Sequence, residues 1–239
     1  MSSPPGALFL VPVSLGDTGW SRFLPADAQR LVAGIRHFVV ENAKTARAEL
    51  KRLEHPGPLR ELDIRVLPEQ GDAAALDALL EPALSGHDVG LMSEAGCPAV
   101  ADPGAALVAR AHALEVPVRP LVGPSSILLA LMASGLNGQS FAFNGYLPVA
   151  DAERDIRIRQ LDDESRRLRR TQIFIETPYR NERLYDALLA TCPPATRLCV
   201  ARDLTTDDEW VRSRAIADWR RFAKPDLARR PALFLILAR

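Results

Sequence analysis

The stretch Val89-Gly90-Leu91-Met92-Ser93-Glu94-Ala95-Gly96-Cys97-Pro98 decides how the fold of this chain is interpreted. Its first four residues form a short apolar run, which is typical of a strand buried on both faces. The small residues that follow, with a glycine and a proline among them, predict a turn directly after that strand. Asp102 and Pro103 then favour the start of a helix, as a capping side chain and a first-turn proline. A buried strand, a small-residue loop and a helix in this order predict one unit of a parallel α/β sheet.

The same alternation extends through the first half of the chain. Short apolar runs that predict strands begin at Leu8, Phe38, Ile64 and Val116, and helical patterns lie between them. Asn42 and Asp72 stand where two of these helices need N-caps. Alternating strands and helices predict right-handed crossovers and a mostly parallel sheet, which binds ligands beyond the carboxyl ends of its strands.

The second half of the chain follows a different pattern. After a helix that opens near Gly123, predicted strands outnumber predicted helices, which indicates a mixed sheet. The strands are expected at Phe141–Phe143, Gln172–Ile175, Leu198–Ala201, Glu209–Arg212 and Leu233–Leu237. We therefore predict two α/β domains, residues 1–122 with a mostly parallel sheet and residues 123–239 with a mixed sheet.

Composition narrows the class of protein. The chain has 239 residues, of which 47% are apolar and 25% charged, and 30 basic side chains balance 30 acidic ones. This balance excludes a strongly basic nucleic-acid-binding protein but leaves a local basic patch open. Three cysteines without a C-x-x-C pair and four scattered histidines argue against structural zinc and a disulfide framework. No apolar run is long enough to cross a membrane, so a metal-free cytoplasmic protein without membrane attachment is expected.

Three loops that follow predicted strands are candidates for ligand binding. They contain Leu15-Gly16, Ala95-Gly96-Cys97 and Gly123-Pro124-Ser125-Ser126. Glycine and other small residues let a ligand approach the backbone closely, and a helix start offers free N–H groups to a carboxylate. Each loop also has a purely structural explanation, as a turn or as a helix cap.

Taken together, these stretches resemble the tetrapyrrole methylase superfamily, and within it the 2′-O-ribose methyltransferases of a small-subunit ribosomal RNA cytidine. The most specific blocks are Gly90 to Gly104 and Pro120 to Ser126. The resemblance also covers Val11 to Asp17, Val40 to Thr45, Asn144 to Pro148, Phe174 to Thr177 and Ala201 to Thr205.

The resemblance implies two α/β domains with S-adenosylmethionine in the cleft between them, and a homodimer. Carried over onto this sequence, it implies a set of cofactor contacts made largely by backbone atoms. They are Leu15, Ala95, Gly96, Cys97, Ser125, Ser126, Glu176, Ala201, Pro231 and Ala232.

The sequence departs from the ribose methyltransferase pattern on the acceptor side. Glu41-Asn42-Ala43-Lys44 stands where relatives carry Glu-Asp-Thr-Arg, and Arg230-Pro231-Ala232 stands where they carry Lys-Gly-Glu. Replacing arginine by lysine removes bidentate recognition. The acceptor can therefore be RNA, a tetrapyrrole or another small molecule, or the chain can be a cofactor-binding regulatory subunit without turnover.

A ribose hydroxyl acceptor would have to lose its proton during transfer. Glu41, Lys44 and Glu94 are the candidates near the expected cleft, and we predict Lys44 and Glu41 as the catalytic residues. Burial would let Lys44 act as a base, whereas the alternative is a solvated side chain at a helix start.

The charged stretch 151–170 is expected to be a solvated helix with i,i+4 ion pairs, or alternatively an arginine edge that contacts phosphates. Tyr146 could stack on a base or simply close the domain interface.

Overall fold

The computed structural model describes residues 5–68 and 71–239. The chain forms two compact units that divide between Ser125 and Ser126. Unit 1 and unit 2 each contain one five-stranded sheet covered by helices. None of the helices in these described ranges is both long and apolar enough to span a membrane.

Unit 1 is built on a parallel sheet. Its strands are β1 (Leu8–Leu10), β2 (His37–Val40), β3 (Asp63–Val66), β4 (Val89–Met92) and β5 (Val118–Pro120). They are arranged in the order β3-β2-β4-β1-β5, and every neighbouring pair is parallel. The predicted parallel sheet is confirmed, although β5 is shorter than the apolar run that predicted it. The carboxyl ends of β1, β2 and β4 therefore meet at one edge of the sheet.

Four helices cover this sheet. They are α1 (Ala26–Gly34), α2 (Ala43–Arg52), α3 (Ala73–Leu84) and α4 (Ala105–Ala113). Asn42 and Asp72 cap α2 and α3 through their side-chain oxygens, as predicted. The prediction that Asp102 caps the next helix is wrong, because α4 begins after Gly104, which has φ 131° and forms no side-chain cap. Only glycine adopts that backbone conformation without strain, so the chain enters α4 two residues later than the cap signal indicates.

Unit 2 combines parallel and antiparallel strands. Its elements are α5 (Ser126–Ser134), β6 (Phe141–Tyr146), α6 (Asp151–Leu168), β7 (Thr171–Ile175), α7 (Asn181–Thr191), β8 (Arg197–Arg202), β9 (Trp210–Ala215), α8 (Ile216–Trp219) and β10 (Ala232–Leu237). The order is β6-β7-β10-β8-β9, with β6 and β7 parallel and the other pairs antiparallel. The predicted mixed sheet is confirmed, and it leaves β9 at one edge.

The core of unit 2 explains how a highly charged helix is held. Ile158 and Leu161 of α6 are fully buried, next to Phe174 and Phe234, whose rings stack at 6.3 Å. The charged side chains of α6 pair along the helix surface, as Arg166 does with Asp162 at 2.6 Å. Helix α5 packs on β8, β9 and β10.

Candidate functional site

Three loops of unit 1 meet at Gly96, which follows β4. The Val13 N–H donates to the Gly96 carbonyl at 2.9 Å, and the Gly96 N–H donates back at 3.3 Å. A Cβ atom at Gly96 would lie 3.2 Å from Leu15 Cδ2 and 3.5 Å from the Pro124 carbonyl oxygen, at a φ of +72°. The structure thus brings together three segments that the sequence analysis singled out separately, and it does so at a position that only glycine fills without strain.

The third of these loops is fixed by close backbone contacts. A Cβ atom at Gly123 would lie 2.2 Å from Pro12 Cβ, so the backbone of Gly123 packs directly against the Pro12 ring. The Cys97 thiol donates to the Pro124 carbonyl oxygen at 3.3 Å. Burial, and secondarily the charge of Asp102, raise the pKa of the Cys97 thiol. Cys97 therefore holds the loop as a thiol and lacks the thiolate character of a nucleophile.

The loop between β4 and α4 has an unusual backbone. Ala99 and Ala101 both have φ 64°, and Gly104 has φ 131°. Left-handed conformations at residues with a Cβ cost on the order of 1 kcal/mol or more each, and they persist where the surrounding structure imposes them. Asp102 lies between Ala101 and Gly104, so this constrained backbone fixes the position of its Cα atom.

Helix α2 anchors the loop that follows β1. The buried carboxylate of Glu49 accepts hydrogen bonds from the Ser14 hydroxyl and the Trp20 indole, both at 3.1 Å. The Arg52 guanidinium donates to the same carboxylate at 2.8 Å and also to the Thr18 carbonyl. Sequence analysis missed this network, because nothing in the spacing of these residues shows that a helix 35 positions later supports the loop.

The predicted catalytic residue Glu41 follows β2 and faces the loop after β4. Its Oε2 accepts the Glu94 N–H at 3.1 Å, and the Thr45 hydroxyl donates to Glu94 Oε1 at 3.2 Å. Since β2 and β4 are neighbours in the sheet, these two carboxylates lie close together. Lys44 is exposed in the first turn of α2, where its N–H bonds to Asn42 Oδ1 at 2.9 Å. The burial that would make Lys44 a base is not seen.

Asp102 is the acidic residue that sequence analysis assigned only to helix capping. Burial raises the pKa of its carboxyl to about 6, and the negative charges of Glu41 and Glu94 add to this, while a hydrogen bond with Ser93 opposes it. Asp102 lines a cavity of about 350 Å³ at the carboxyl edge of the sheet, together with Leu67, Pro68, Gly71, Leu76, Pro103, Gly104, Ala105 and Ala106. A carboxyl with a perturbed pKa in a cavity is typical of a functional site.

One predicted cofactor residue of unit 2, Ser126, is the first residue of α5, and the others lie along one edge of its sheet. Leu233 of β10 pairs with both Ile175 and Ala201, so the ends of β7 and β8 meet the start of β10. Glu176, Ala201 and the Pro231-Ala232 pair are therefore gathered at this edge.

The carboxylate of Glu176 is already engaged within unit 2. It is buried, and it accepts hydrogen bonds from the Thr177 N–H and the Arg180 guanidinium, both at 2.6 Å. Because the Arg180 guanidinium already balances the charge of this carboxylate, Glu176 has no free negative charge with which to bind a cation.

The candidate site in unit 1 consists of carboxylates and exposed backbone. Across residues 5–68 and 71–239, no group of three or more His, Cys, Asp and Glu side chains is arranged to hold a metal ion. Ala95 is exposed beside the buried Gly96, so the backbone of this loop is open to a ligand.

Comparisons with known proteins agree with the resemblance seen in the motifs. The family model for tetrapyrrole (corrin/porphyrin) methylases matches residues 21–218. A protein of Xylella fastidiosa named ribosomal RNA small subunit methyltransferase I is 32% identical over 237 residues, which cover 98% of this chain and 82% of that protein. The protein of the same name from Pseudomonas aeruginosa is 30% identical over 217 residues, which cover 90% of this chain and 73% of that protein.

Solved structures show the same fold. The methyltransferase CobJ superimposes with a TM-score of 0.62 at 19% identity, over 98% of this chain and 94% of that one. A uroporphyrin-III-C-methyltransferase from Thermus thermophilus superimposes with a TM-score of 0.51 at 23% identity, over 97% and 92% of the two chains. At these identities the likeness concerns the arrangement of helices and strands.

Proposed function

The chain belongs to the tetrapyrrole methylase family and is an S-adenosylmethionine-dependent methyltransferase, and we propose from this premise that it methylates a ribose 2′-hydroxyl of small-subunit ribosomal RNA. The observation that carries the proposal is the 32% identity to a ribosomal RNA small subunit methyltransferase I over 98% of this chain. The matched region spans both units, including the two acceptor-side segments at which this sequence departs from the ribose methyltransferase pattern.

The loops of unit 1 fit the methyl donor. Leu15, Ala95, Gly96, Cys97 and Ser125 are proposed to bind it, because the loops converge at Gly96 and expose backbone groups suited to an amino acid and a nucleoside. When bound, S-adenosylmethionine supplies an electrophilic methyl group, so the protein is left with positioning the acceptor and removing its proton.

Unit 2 is proposed to supply the remaining donor contacts. They are Ser126, Glu176, Ala201, Pro231 and Ala232. Since the Glu176 carboxylate is held by Arg180 and Thr177, its contribution is proposed to come from its backbone and from fixing the turn after β7.

Glu41 and Lys44 are proposed to act on the acceptor side of unit 1. Glu41 holds the loop after β4 through the Glu94 N–H. Lys44 is exposed, and an exposed ammonium group is better suited to contact an RNA phosphate than to remove a proton.

Arg212 and Arg214 of the edge strand β9 form an arginine face on unit 2, which supports an RNA acceptor. Residues 126–239 contain 19 basic and 15 acidic side chains. On the edge strand β9, the Arg214 guanidinium stacks 3.6 Å from the centre of the Phe222 ring, and Arg212 lies 6.0 Å from the Trp210 ring. Among the described residues neither arginine forms an ion pair. Stacking orients a guanidinium while its N–H groups stay available for phosphate oxygens.

We also propose that the protein is a homodimer and works in the cytoplasm, where ribosomal subunits are. Helix α5 presents exposed apolar side chains, with Met132 80% and Leu128 50% exposed, and a second copy of the chain would cover such a face. Light scattering of the purified protein tests this, and a Met132→Glu variant is expected to be monomeric. A monomeric wild-type protein at micromolar concentration would contradict it.

The acceptor is tested by transfer of a labelled methyl group. The purified protein is incubated with labelled S-adenosylmethionine and either small ribosomal subunits that lack this modification or uroporphyrinogen III. Label is expected in ribosomal RNA, at a nucleotide whose 3′-phosphodiester bond becomes resistant to alkaline hydrolysis because its 2′-oxygen is methylated. Label in the tetrapyrrole alone would contradict the proposal. Calorimetry with S-adenosylhomocysteine is the control, because it shows whether the protein can bind the product of the methyl donor.

A further inference from the structure

We infer that the carboxylate of Asp102 accepts the proton of the acceptor hydroxyl during methyl transfer, in the cavity of unit 1 that Asp102 lines. This inference rests on the proposed function, because a hydroxyl acceptor requires a base and other acceptors need not. It assigns proton removal to a residue other than the predicted Lys44 and Glu41.

The position of Asp102 is the first argument. It lies in the same β4–α4 loop as Ala95, Gly96 and Cys97, at the edge of the sheet where parallel strands place their ligands. The cavity beside it has a volume of about 350 Å³, which admits a sugar and part of its base. The constrained backbone at Ala101 fixes the position of the Asp102 Cα atom.

The second argument is that Asp102 has no structural partner that needs its charge. Among the described residues, three other buried or partly buried acids of unit 1 are matched with arginines: Glu49 with Arg52 at 2.8 Å, Asp63 with Arg65 at 2.8 Å, and Asp77 with Arg110. The remaining partly buried acid is Glu41, whose negative charge itself acts on Asp102. Asp102 forms no ion pair in the described part of the chain, and it does not cap α4. A carboxylate kept half-buried without a cation is destabilising for the fold, so a role in chemistry accounts for its presence.

The groups around Asp102 favour proton uptake. Glu41 reaches it from the end of β2, Glu94 and Ser93 from its own loop, and the Cys97 thiol lies in the same environment. Two neighbouring carboxylates stabilise a proton on the third. With its pKa raised to about 6, the Asp102 carboxyl is ionised at neutral pH and is a stronger base than an ordinary aspartate.

The transfer step balances with Asp102 as base. The acceptor oxygen forms a bond to the methyl carbon while the carbon–sulfur bond breaks, and the electron pair of that bond stays on sulfur. The hydroxyl proton passes to the Asp102 carboxylate, and water takes it up after product release. Glu41 is a positioning residue in this step, because it acts through its charge on Asp102 and through its bond to Glu94.

Steady-state kinetics against pH test the assignment. The wild-type kcat/KM on small ribosomal subunits, which reports the pKa of the free enzyme, is expected to fall tenfold per pH unit below about 6 and to be level above it. Asp102→Asn is expected to lose about 100-fold or more in kcat and to lose this acid limb, with its affinity for S-adenosylhomocysteine unchanged within about twofold. Glu81→Gln, which removes an exposed carboxylate from α3, is the matched control and is expected to behave as the wild type.

The pKa of the Asp102 carboxyl can be measured without donor or acceptor and then compared with the pH dependence of kcat/KM. Agreement between the two distinguishes a base from a structural residue. Carbon-13 NMR of the unliganded protein gives the titration midpoint of the Asp102 carboxyl directly. Glu41→Gln removes a neighbouring negative charge, so it is expected to lower that midpoint and to shift the acid limb of kcat/KM by the same amount. This variant also covers the case in which Asp102→Asn fails to fold.

Three results would overturn the inference. They are an Asp102→Asn enzyme with wild-type kcat, an acid limb that survives in that variant, and a Glu41→Gln enzyme in which the midpoint moves but the acid limb does not. A different result would refute the proposed function: the wild-type protein binds the donor but never labels ribosomal RNA. In that case there is no acceptor hydroxyl for Asp102 to deprotonate.

Discussion

The buried carboxylate of Glu49 links helix α2 to the loop that presents Leu15. Glu49→Ala leaves the Ser14 hydroxyl, the Trp20 indole and the Arg52 guanidinium without their common acceptor. We expect a loss of about 2–4 kcal/mol in the free energy of unfolding, because the Ser14 and Trp20 donors lose their buried acceptor and Arg52 keeps only the exposed Asp17 as an ion partner among the described residues. Urea unfolding measures this. Arg47→Ala on the exposed side of the same helix is the control, with a change below about 0.5 kcal/mol. Equal effects in the two variants would show that the network carries no stability.

Asp102 also affects stability, with a sign that can be derived from its raised pKa. The folded protein holds this proton up to about pH 6, whereas the unfolded chain releases it near pH 4. Stability from this group is therefore complete below about pH 4 and is lost as pH rises through about 6. Asp102→Asn is expected to be more stable than the wild type at pH 7, by on the order of 1–2 kcal/mol for a carboxyl partly screened by water. The difference in urea midpoint should shrink towards pH 4, and a constant difference would contradict the assignment.

Helix α2 starts at a cap that lies next to Glu41, at the carboxyl edge of the parallel sheet. The Asn42 Oδ1 atom accepts the N–H groups of Lys44 and Thr45, at 2.9 and 3.3 Å. Asn42→Ala is expected to cost about 1 kcal/mol of unfolding free energy, the usual value of an N-cap. Because Thr45 bonds to Glu94, kcat should fall as well. Asp72→Ala removes the cap of α3, so a similar loss of stability with unchanged kcat is expected there.

The strands and capped helices could be predicted because their signals are local. Apolar runs and Asx residues act within a few positions, and β1, β2, β4, α2 and α3 appear where the sequence indicates. Asp102 was misassigned because a left-handed glycine two residues later begins the helix. Strand β6 runs past Asn144-Gly145 to Tyr146, since a bulge with Gly145 at φ 62° resumes pairing with Ile175. An Asn-Gly pair is typical of turns, and here it bends the strand without ending it.

The candidate site could be predicted only as separate loops. Its positions on the sheet follow from the parallel topology, which the sequence does indicate. Contacts between residues far apart in sequence do not follow. The Glu41–Glu94 bond spans 53 positions and the Cys97–Pro124 contact spans 27. The carboxylates of Glu41 and Glu94 come close to Asp102 only when β2 and β4 are adjacent in the sheet, so no local sequence pattern indicates this cluster of charge.

A net charge of zero conceals an uneven distribution along the chain. Residues 1–125 carry 11 basic and 15 acidic side chains, whereas residues 126–239 carry 19 and 15. The negative excess lies with the unit that holds the Glu41, Glu94 and Asp102 carboxylates. The positive excess lies with the unit that bears the arginine face of β9. An RNA substrate would therefore be attracted to unit 2 and repelled by much of unit 1, which restricts how it can approach.

The salt dependence of RNA binding locates the phosphate contacts. Removing one arginine–phosphate pair reduces the slope of log affinity against log salt by roughly 0.7–0.9, so an Arg212→Ala, Arg214→Ala double variant is expected to reduce it by about 1.5. Affinity for small ribosomal subunits should fall while affinity for S-adenosylhomocysteine stays the same. The matched control is an Arg159→Ala, Arg167→Ala double variant on α6, which removes two exposed arginines of the same unit. If the α6 variant reduces the slope and the β9 variant does not, then RNA binds along the charged helix and the role assigned to β9 is wrong.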